Sequence, residues 1–130
     1  MPATYLDSSA IVKLAVREAE SVALRRHLRR RQPLVSSALA RTEVLRALLP
    51  GGEAAVASGR QALSLLDLVR INDRVLHRAG ALLPAELRSL DAIHLATAEQ
   101  LGDDLGEVIT YDERMAAAAR MMGHRVSAPG

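Results

Sequence analysis

Four acidic residues, Asp7, Glu43, Asp91 and Asp112, occupy positions from which their carboxylates could reach one place. In an open parallel sheet, ligands gather outside the carboxyl ends of the strands. Asp7 ends the apolar run Thr4-Tyr5-Leu6, and Asp112 stands just beyond Val108-Ile109-Thr110. Asp91 lies two residues after Ser89, in the first turn of a helix, and Glu43 lies inside a helix about two turns past a strand. Taken singly, an acid at a helix start complements the helix dipole, and Glu43 reads as a surface partner of Arg46. Taken together, carboxylates this close raise one another's pKa, and a divalent cation removes that repulsion. Magnesium prefers hard oxygen ligands, keeps several waters and needs only one or two protein carboxylates. One such ion acidifies a water aimed at phosphorus, and a second can stabilise the leaving oxygen. This chemistry suits hydrolysis of a phosphodiester and does not by itself separate RNA from DNA.

The histidines add little to that set. His27, His77 and His124 show no partner pattern, and His94, three residues after Asp91 on a similar face, reads as a packing or supporting residue rather than a metal ligand. Asp67 and Asp103 read as exposed carboxylates outside the site.

The elements that must position these groups alternate between strand-like and helical patterns, which predicts an α/β domain with a mainly parallel sheet. Strands are expected at 4–6, 34–35, 68–71, 108–110 and 125–126. The first helix is capped by Ser8 or Ser9 and carries Ile11, Val12, Leu14, Ala15 and Val16. A second runs from about Glu18 to Arg31, and a third starts from Ser36 or Ser37 and runs through Leu49. Pro50-Gly51-Gly52 stops it. Further helices are expected over 53–66, weakened at Gly59; from an Asn72 cap to about Leu82; over 90–101 from a Ser89 cap; and over 112–122. Residues 102–106 read as a polar loop. The apolar faces of the helices over 37–49 and 53–66 either cover the sheet or offer a surface to a partner.

A chain of 130 residues fits one compact domain, 1–130. With Tyr5 and Tyr111 as the only aromatics, the core must come from Leu, Val, Ile, Ala and Met. The absence of cysteine excludes disulfides and Cys-ligated zinc and fits a reducing compartment. MPATYLDSSA lacks a basic start and a long apolar stretch, and charges recur too often for a membrane span. A soluble cytoplasmic protein is expected. Formal charge is +2, and Lys13 is the only lysine. The helix bearing Arg25, Arg26, Arg29, Arg30 and Arg31 reads either as a solvated face or as an edge that contacts phosphate.

These residues fall in blocks that resemble the PIN-domain ribonucleases, specifically the VapC toxins of bacterial toxin–antitoxin pairs. The blocks are Tyr5-Leu6-Asp7-Ser8-Ser9-Ala10, Val35-Ser36-Ser37 with Thr42-Glu43-Val44, Leu90-Asp91-Ala92-Ile93-His94-Leu95-Ala96-Thr97-Ala98, Ile109-Thr110-Tyr111-Asp112-Glu113-Arg114-Met115 and the ending Val126-Ser127-Ala128-Pro129-Gly130. They occur in order over essentially the whole chain, with no departure at the four acidic positions. The resemblance implies a three-layer PIN-like fold, with a five-stranded parallel sheet flanked by helices. It also implies a magnesium-dependent endoribonuclease, with manganese as a substitute, acting on RNA. It implies a homodimer and a cognate VapB-type antitoxin that occludes the site. Carried over, Asp7 and Asp91 would be the main metal carboxylates. Glu43 and Asp112 would complete the catalytic set, with Ser8 and Thr110 supporting them, Thr110 by orienting a carboxylate.

Other readings meet specific obstacles. Haloacid-dehalogenase-like phosphatases need a second Asp two residues after the first, where this chain has Ser9, and response-regulator receivers need a late lysine. A nuclease of the same fold that threads duplex DNA would need added helices. A catalytically silent PIN-like module for RNA binding or assembly is the alternative that keeps the same fold.

Overall fold

The structure is a computed structural model that describes residues 2–130. Five strands form one parallel sheet: β1 (Ala3–Leu6), β2 (Leu34–Ser37), β3 (Asp67–Val69), β4 (Leu105–Ile109) and β5 (Val126–Ser127). Their order across the sheet is β3-β2-β1-β4-β5. The chain therefore builds outward from β1 in one direction, then returns to place β4 against the other side of β1. Such a reversal opens a crevice at the carboxyl ends of the two strands. The register Leu6↔Ile109 sets Asp7 and Thr110 side by side at that crevice.

Right-handed crossovers fix which helices cover which face. On one face lie α1 (Ser8–Ala15), α2 (Ser21–Leu28), α3 (Ala40–Leu48) and α4 (Glu53–Leu63). Their apolar stripes bury Ile11, Leu24, Val44, Leu48 and Leu63 against Leu6 and Ile109. The other face carries α5 (Asp73–Ala81), α6 (Ser89–Glu99) and α7 (Glu113–Met121). There Ala98 packs on Tyr5, Val35 and Val108, while Leu95, Met115 and Ala119 join the helices to one another. Tyr5 and Leu6 point to opposite faces, as do Val108 and Ile109, which is the period of two in a sheet covered on both sides. The α/β/α layering and the five-stranded parallel sheet agree with the sequence-based expectation.

Several local expectations are corrected. Ser36 and Ser37 belong to β2 rather than capping α3, although the Ser37 hydroxyl accepts from the Leu39 N–H. Ser89 is the first residue of α6, and its cap, Arg88, makes no side-chain capping bond. The cap of α1 is Asp7 itself rather than Ser8 or Ser9. The loop expected over 102–106 is shorter, because β4 already begins at Leu105. Gly59 does not interrupt α4: it is buried where a Cβ would stand 2.7 Å from Leu48 Cδ1, so the missing side chain lets α3 and α4 approach closely. The inner face of α3 packs toward β2 and that of α4 packs on α1 and α3 in the same core, while Leu49 and Leu65 stay exposed. Asn72 caps α5 as the spacing predicts, accepting from the Val75 N–H at 2.9 Å. Among the described residues, no helix is long and apolar enough to cross a membrane.

Candidate active site

Asp7 sits where β1 turns into α1, and the residue is only 4% exposed. Oδ1 accepts from the Ala10 N–H at 3.0 Å, capping the helix, and from the Ser9 hydroxyl at 2.6 Å. Oδ2 accepts from the Thr110 hydroxyl at 2.5 Å. A carboxylate has about four acceptor directions, so one remains on Oδ2. Burial pushes the Asp7 carboxyl up, and the bonds from Ser9, Thr110 and Ala10 offset only part of that cost.

The β4–α7 turn is stitched to the β1–α1 turn by the same groups. Thr110 Oγ1 also accepts from the Asp112 N–H at 3.1 Å, and the Ser9 hydroxyl accepts from the Tyr111 N–H at 3.0 Å. Asp112 caps α7, with Oδ1 accepting from the Arg114 and Met115 N–H groups. Its other oxygen lies 3.5 Å from the Arg88 guanidinium.

Asp91 enters from the first turn of α6. Arg88 Nε lies 3.7 Å from its Oδ2, so one arginine spans Asp91 and Asp112. Burial raises the Asp91 carboxyl first, the negative charges of Asp112 and Asp7 raise it further, and Arg88 and His94 pull it down. Asp91 thus feels the charges of two aspartates distant from it in sequence.

Glu43 is reached through hydrogen bonds rather than through the surface pair with Arg46. Ser8 donates to Oε1 at 2.5 Å, and His94 Nε2 lies 2.6 Å from the same oxygen. Burial raises the Glu43 carboxyl, but the bonds from His94 and Ser8 outweigh it and hold the group below its ordinary range. An ionised carboxylate only accepts, so Nε2 carries the proton. In neutral His94, Nδ1 is then left to accept from the Tyr5 hydroxyl at 2.7 Å. This buried chain, Tyr5 to His94 to Glu43, gives His94 the supporting place expected of it.

The structure therefore brings Asp7, Asp91 and Asp112 around the β1/β4 crevice, ties Glu43 to it through Ser8 and His94, and sets Thr110 on Asp7. Sequence reasoning missed Ser9, which locks two turns together, and Arg88, which faces two aspartates. A serine two residues after Asp7 was the available signal for Ser9; nothing in the spacing marked Arg88. Away from the crevice, His27 is not without a partner: its Nε2 lies 2.6 Å from Oε1 of the buried Glu107, which also accepts from Ser127.

Among the described residues, no three His, Asp or Glu side chains form a ready-made cage for a metal ion. The donor chemistry nevertheless fits a hard divalent ion. The groups are all carboxylate oxygens, the charges of Asp112 and Asp7 raise the affinity of Asp91 for positive charge, and a guanidinium already lies between Asp91 and Asp112. An ion that takes one or two carboxylates and completes its shell with water needs no cage.

Comparisons with known proteins follow the same line. A family model described as the PIN domain matches residues 4–121. Ribonuclease VapC46 of Mycobacterium tuberculosis (strain ATCC 25618 / H37Rv) is 67% identical over 129 residues, covering 99% of this chain and 99% of its own. A toxin-antitoxin complex from Klebsiella pneumoniae is similar in structure, with TM-score 0.75 and 24% identity over 98% of each chain. VapC20 of Mycobacterium tuberculosis, a Sarcin-Ricin loop cleaving toxin, superposes with TM-score 0.72 and 18% identity over 89% of this chain and 95% of its own. At those identities the two structures speak for the fold.

Proposed function

The chain belongs to the PIN-domain family, and from that premise we propose that it is a metal-dependent endoribonuclease, the VapC-type toxin of a toxin–antitoxin pair. The whole chain, 1–130, serves as the one PIN domain. The reading is carried by one observation: the Asp91 carboxyl is pushed up first by burial and then by the charges of Asp112 and Asp7, at a sheet crevice where substrate binding is expected. Identity to a protein named ribonuclease over 99% of both chains supports the activity. Asp7 and Asp91 would hold Mg2+, with Mn2+ able to replace it, and Glu43 and Asp112 complete the catalytic set. When bound, such an ion polarises a phosphoryl oxygen and lowers the pKa of water beside it.

The protein's own groups do the positioning. Thr110 and Ser9 fix both oxygens of Asp7, so its remaining acceptor direction is preset. Ser8 and His94 hold Glu43 ionised through Oε1, which leaves Oε2 to accept a proton or a water. Arg88, 70% exposed and within 4 Å of Asp91 and Asp112, can turn to the RNA phosphate once a cation neutralises those carboxylates. With only two tyrosines, one of them fully buried, substrate recognition rests on arginine, backbone amides and RNA shape.

A cognate VapB-type antitoxin and a homodimeric state follow from the same reading; the Klebsiella pneumoniae neighbour is described as a toxin-antitoxin complex. A second reading, the catalytically silent module, draws on Arg88 closing over Asp91 and Asp112. One experiment separates them. Purified protein is incubated with RNA in Mg2+, in Mn2+ and in EDTA, beside Asp7→Asn and Asp91→Asn. Cleavage confined to the parent protein with metal is expected. Equal cleavage by either variant would place the chemistry elsewhere, and RNA binding without cleavage in either metal would favour the silent module.

A further inference from the structure

The acidic crevice continues into a groove that its chemistry does not use. The groove lies between the α5–α6 connection and α7, and holds a cavity of about 440 Å3. Pro84, Glu86, Leu87, Ala117, Ala118 and Met121 line it. Arg114, Ala117, Ala118 and Met121 stand at i, i+3, i+4 and i+7, which is one stripe along α7. Two alanines at the centre of that stripe leave the hollow, and longer side chains at its ends bound it. Arg88 and Arg114 stand at the rim, and Asp91 lines both the groove and the acidic site.

We propose that this groove is a subsite for the nucleobase next to the scissile phosphate of the RNA; the inference rests on the nuclease reading and deepens it. The size and character agree with small-molecule recognition, for which cavities of roughly 300–1,000 Å3 with apolar walls and few polar groups are typical. The occupant must suit a mostly apolar lining and must also meet the charged groups along it, the guanidinium groups of Arg88 and Arg114 beside the carboxylates of Glu86 and Asp91. A nucleotide does both: its base has a flat face for Leu87, Met121 and the two alanines, and its phosphate falls to Arg88 or Arg114. Unstacked bases are held on apolar and guanidinium surfaces as well as on aromatic rings. Methionine sulfur adds a favourable contact to a ring edge. Continuity selects this occupant over a second copy of the chain or a partner helix. Asp91 lines both the groove and the acidic site, so an RNA phosphate held at that site has its neighbouring base within reach of the groove.

The test uses Ala117→Leu, which fills the hollow from an exposed helical position, and Met121→Ala, which removes a lining side chain. Each is assayed on a random-sequence RNA pool whose cut sites are sequenced, and each is titrated with Mn2+ by calorimetry. Ala117→Leu is expected to lower kcat/KM for RNA about ten-fold or more and to change the base preference beside the cut. Mn2+ affinity should stay within about two-fold of the parent, with thermal stability unchanged. Met121→Ala is expected to weaken the base preference with a smaller loss of rate. Parental rates and an unchanged base profile in both variants would overturn the subsite, as would a matching loss of Mn2+ affinity, which would trace the effect to the carboxylates. A changed oligomeric state in Ala117→Leu would make the groove a contact between copies and overturn it too. A parent protein that cuts no RNA in either metal would instead remove the nuclease reading, and the subsite with it.

Discussion

Replacing His94 with phenylalanine tests the buried chain from Tyr5 to Glu43. His94 is 1% exposed, with Tyr5 on one ring nitrogen and Glu43 on the other. A phenyl ring keeps the shape and loses both bonds. On the Glu43 side the loss is small, because the carboxylate is partly exposed and retains Ser8; about 1 kcal/mol is a fair figure for a hydrogen bond that water can partly replace. On the other side, the Tyr5 hydroxyl is fully buried. Leaving such a group unpaired costs roughly 1–3 kcal/mol. Ser36, whose buried hydroxyl has no hydrogen-bond partner among the described residues, lies close to Tyr5 and can take part of that bond, which sets the cost near the lower end. The expected loss is about 2–3 kcal/mol. Unfolding entropy of about 2.1 cal/mol/K per residue converts this to a fall in Tm of roughly 7–11 °C for a chain of this length. Calorimetry on His94→Phe, Tyr5→Phe and the double variant measures the coupling. Tyr5→Phe should recover part of the His94→Phe loss, since it removes the orphaned hydroxyl, with an interaction energy of about 1 kcal/mol. A His94→Phe Tm within 2 °C of the parent, or strictly additive variants, would refute the hydrogen-bonded chain.

Three other perturbations follow from the same structure. Asp7→Asn should raise the Tm of the metal-free protein at neutral pH. Burial puts the folded Asp7 pKa above its unfolded value, so the ionised group costs stability as pH rises through that window; the gain should vanish as pH falls below it, and a variant less stable than the parent at pH 7 would contradict this. Magnesium or manganese at about 100 times Kd should stabilise the parent by roughly 2.7 kcal/mol, near 10 °C in Tm. EDTA should reverse the effect and Asp7→Asn or Asp91→Asn should abolish it, while Asp67→Asn should keep it. Gly59→Val should destabilise by about 1–3 kcal/mol in chemical denaturation through overpacking, since a Cβ there already meets Leu48 at 2.7 Å; an unchanged midpoint would show that α3 and α4 yield freely.

How far the site could be read from sequence depended on range. Asp7 and Asp112 were visible because each follows an apolar strand, and β1 and β4 prove to be neighbours, so their turns meet. Alternation of strand and helix predicted the parallel sheet, but not the order β3-β2-β1-β4-β5 that puts β1 beside β4. The serines of β2 illustrate a local failure. Ser36-Ser37 has the composition of a helix cap, yet both residues are fully buried in a strand, because pairing with β1 and β3 outweighs capping propensity. Arg88 failed for the opposite reason. It is an exposed side chain whose only distinction is where it reaches, and reach across 24 residues of chain to Asp112 leaves no pattern in sequence.

Asp7 performs two tasks that physical chemistry sets against each other. As the cap of α1 it must accept the Ala10 N–H, and as a candidate metal group it must stay ionised while only 4% exposed. A cap alone would be met by Ser or Asn without a buried charge. A metal carboxylate alone needs no Ser9 and Thr110 to hold it. The joint arrangement makes sense if the hydroxyls hold the carboxylate in one orientation while burial keeps its affinity for positive charge high. Metal-free protein then carries a cost at neutral pH that a bound cation removes. On this argument the residue whose neutralisation most stabilises the empty site is also the residue whose neutralisation most weakens cation binding. Measuring both effects on Asp7→Asn, against Asp112→Asn, which retains a capping oxygen on α7, separates a built ion site from a pair of helix caps that happen to be neighbours.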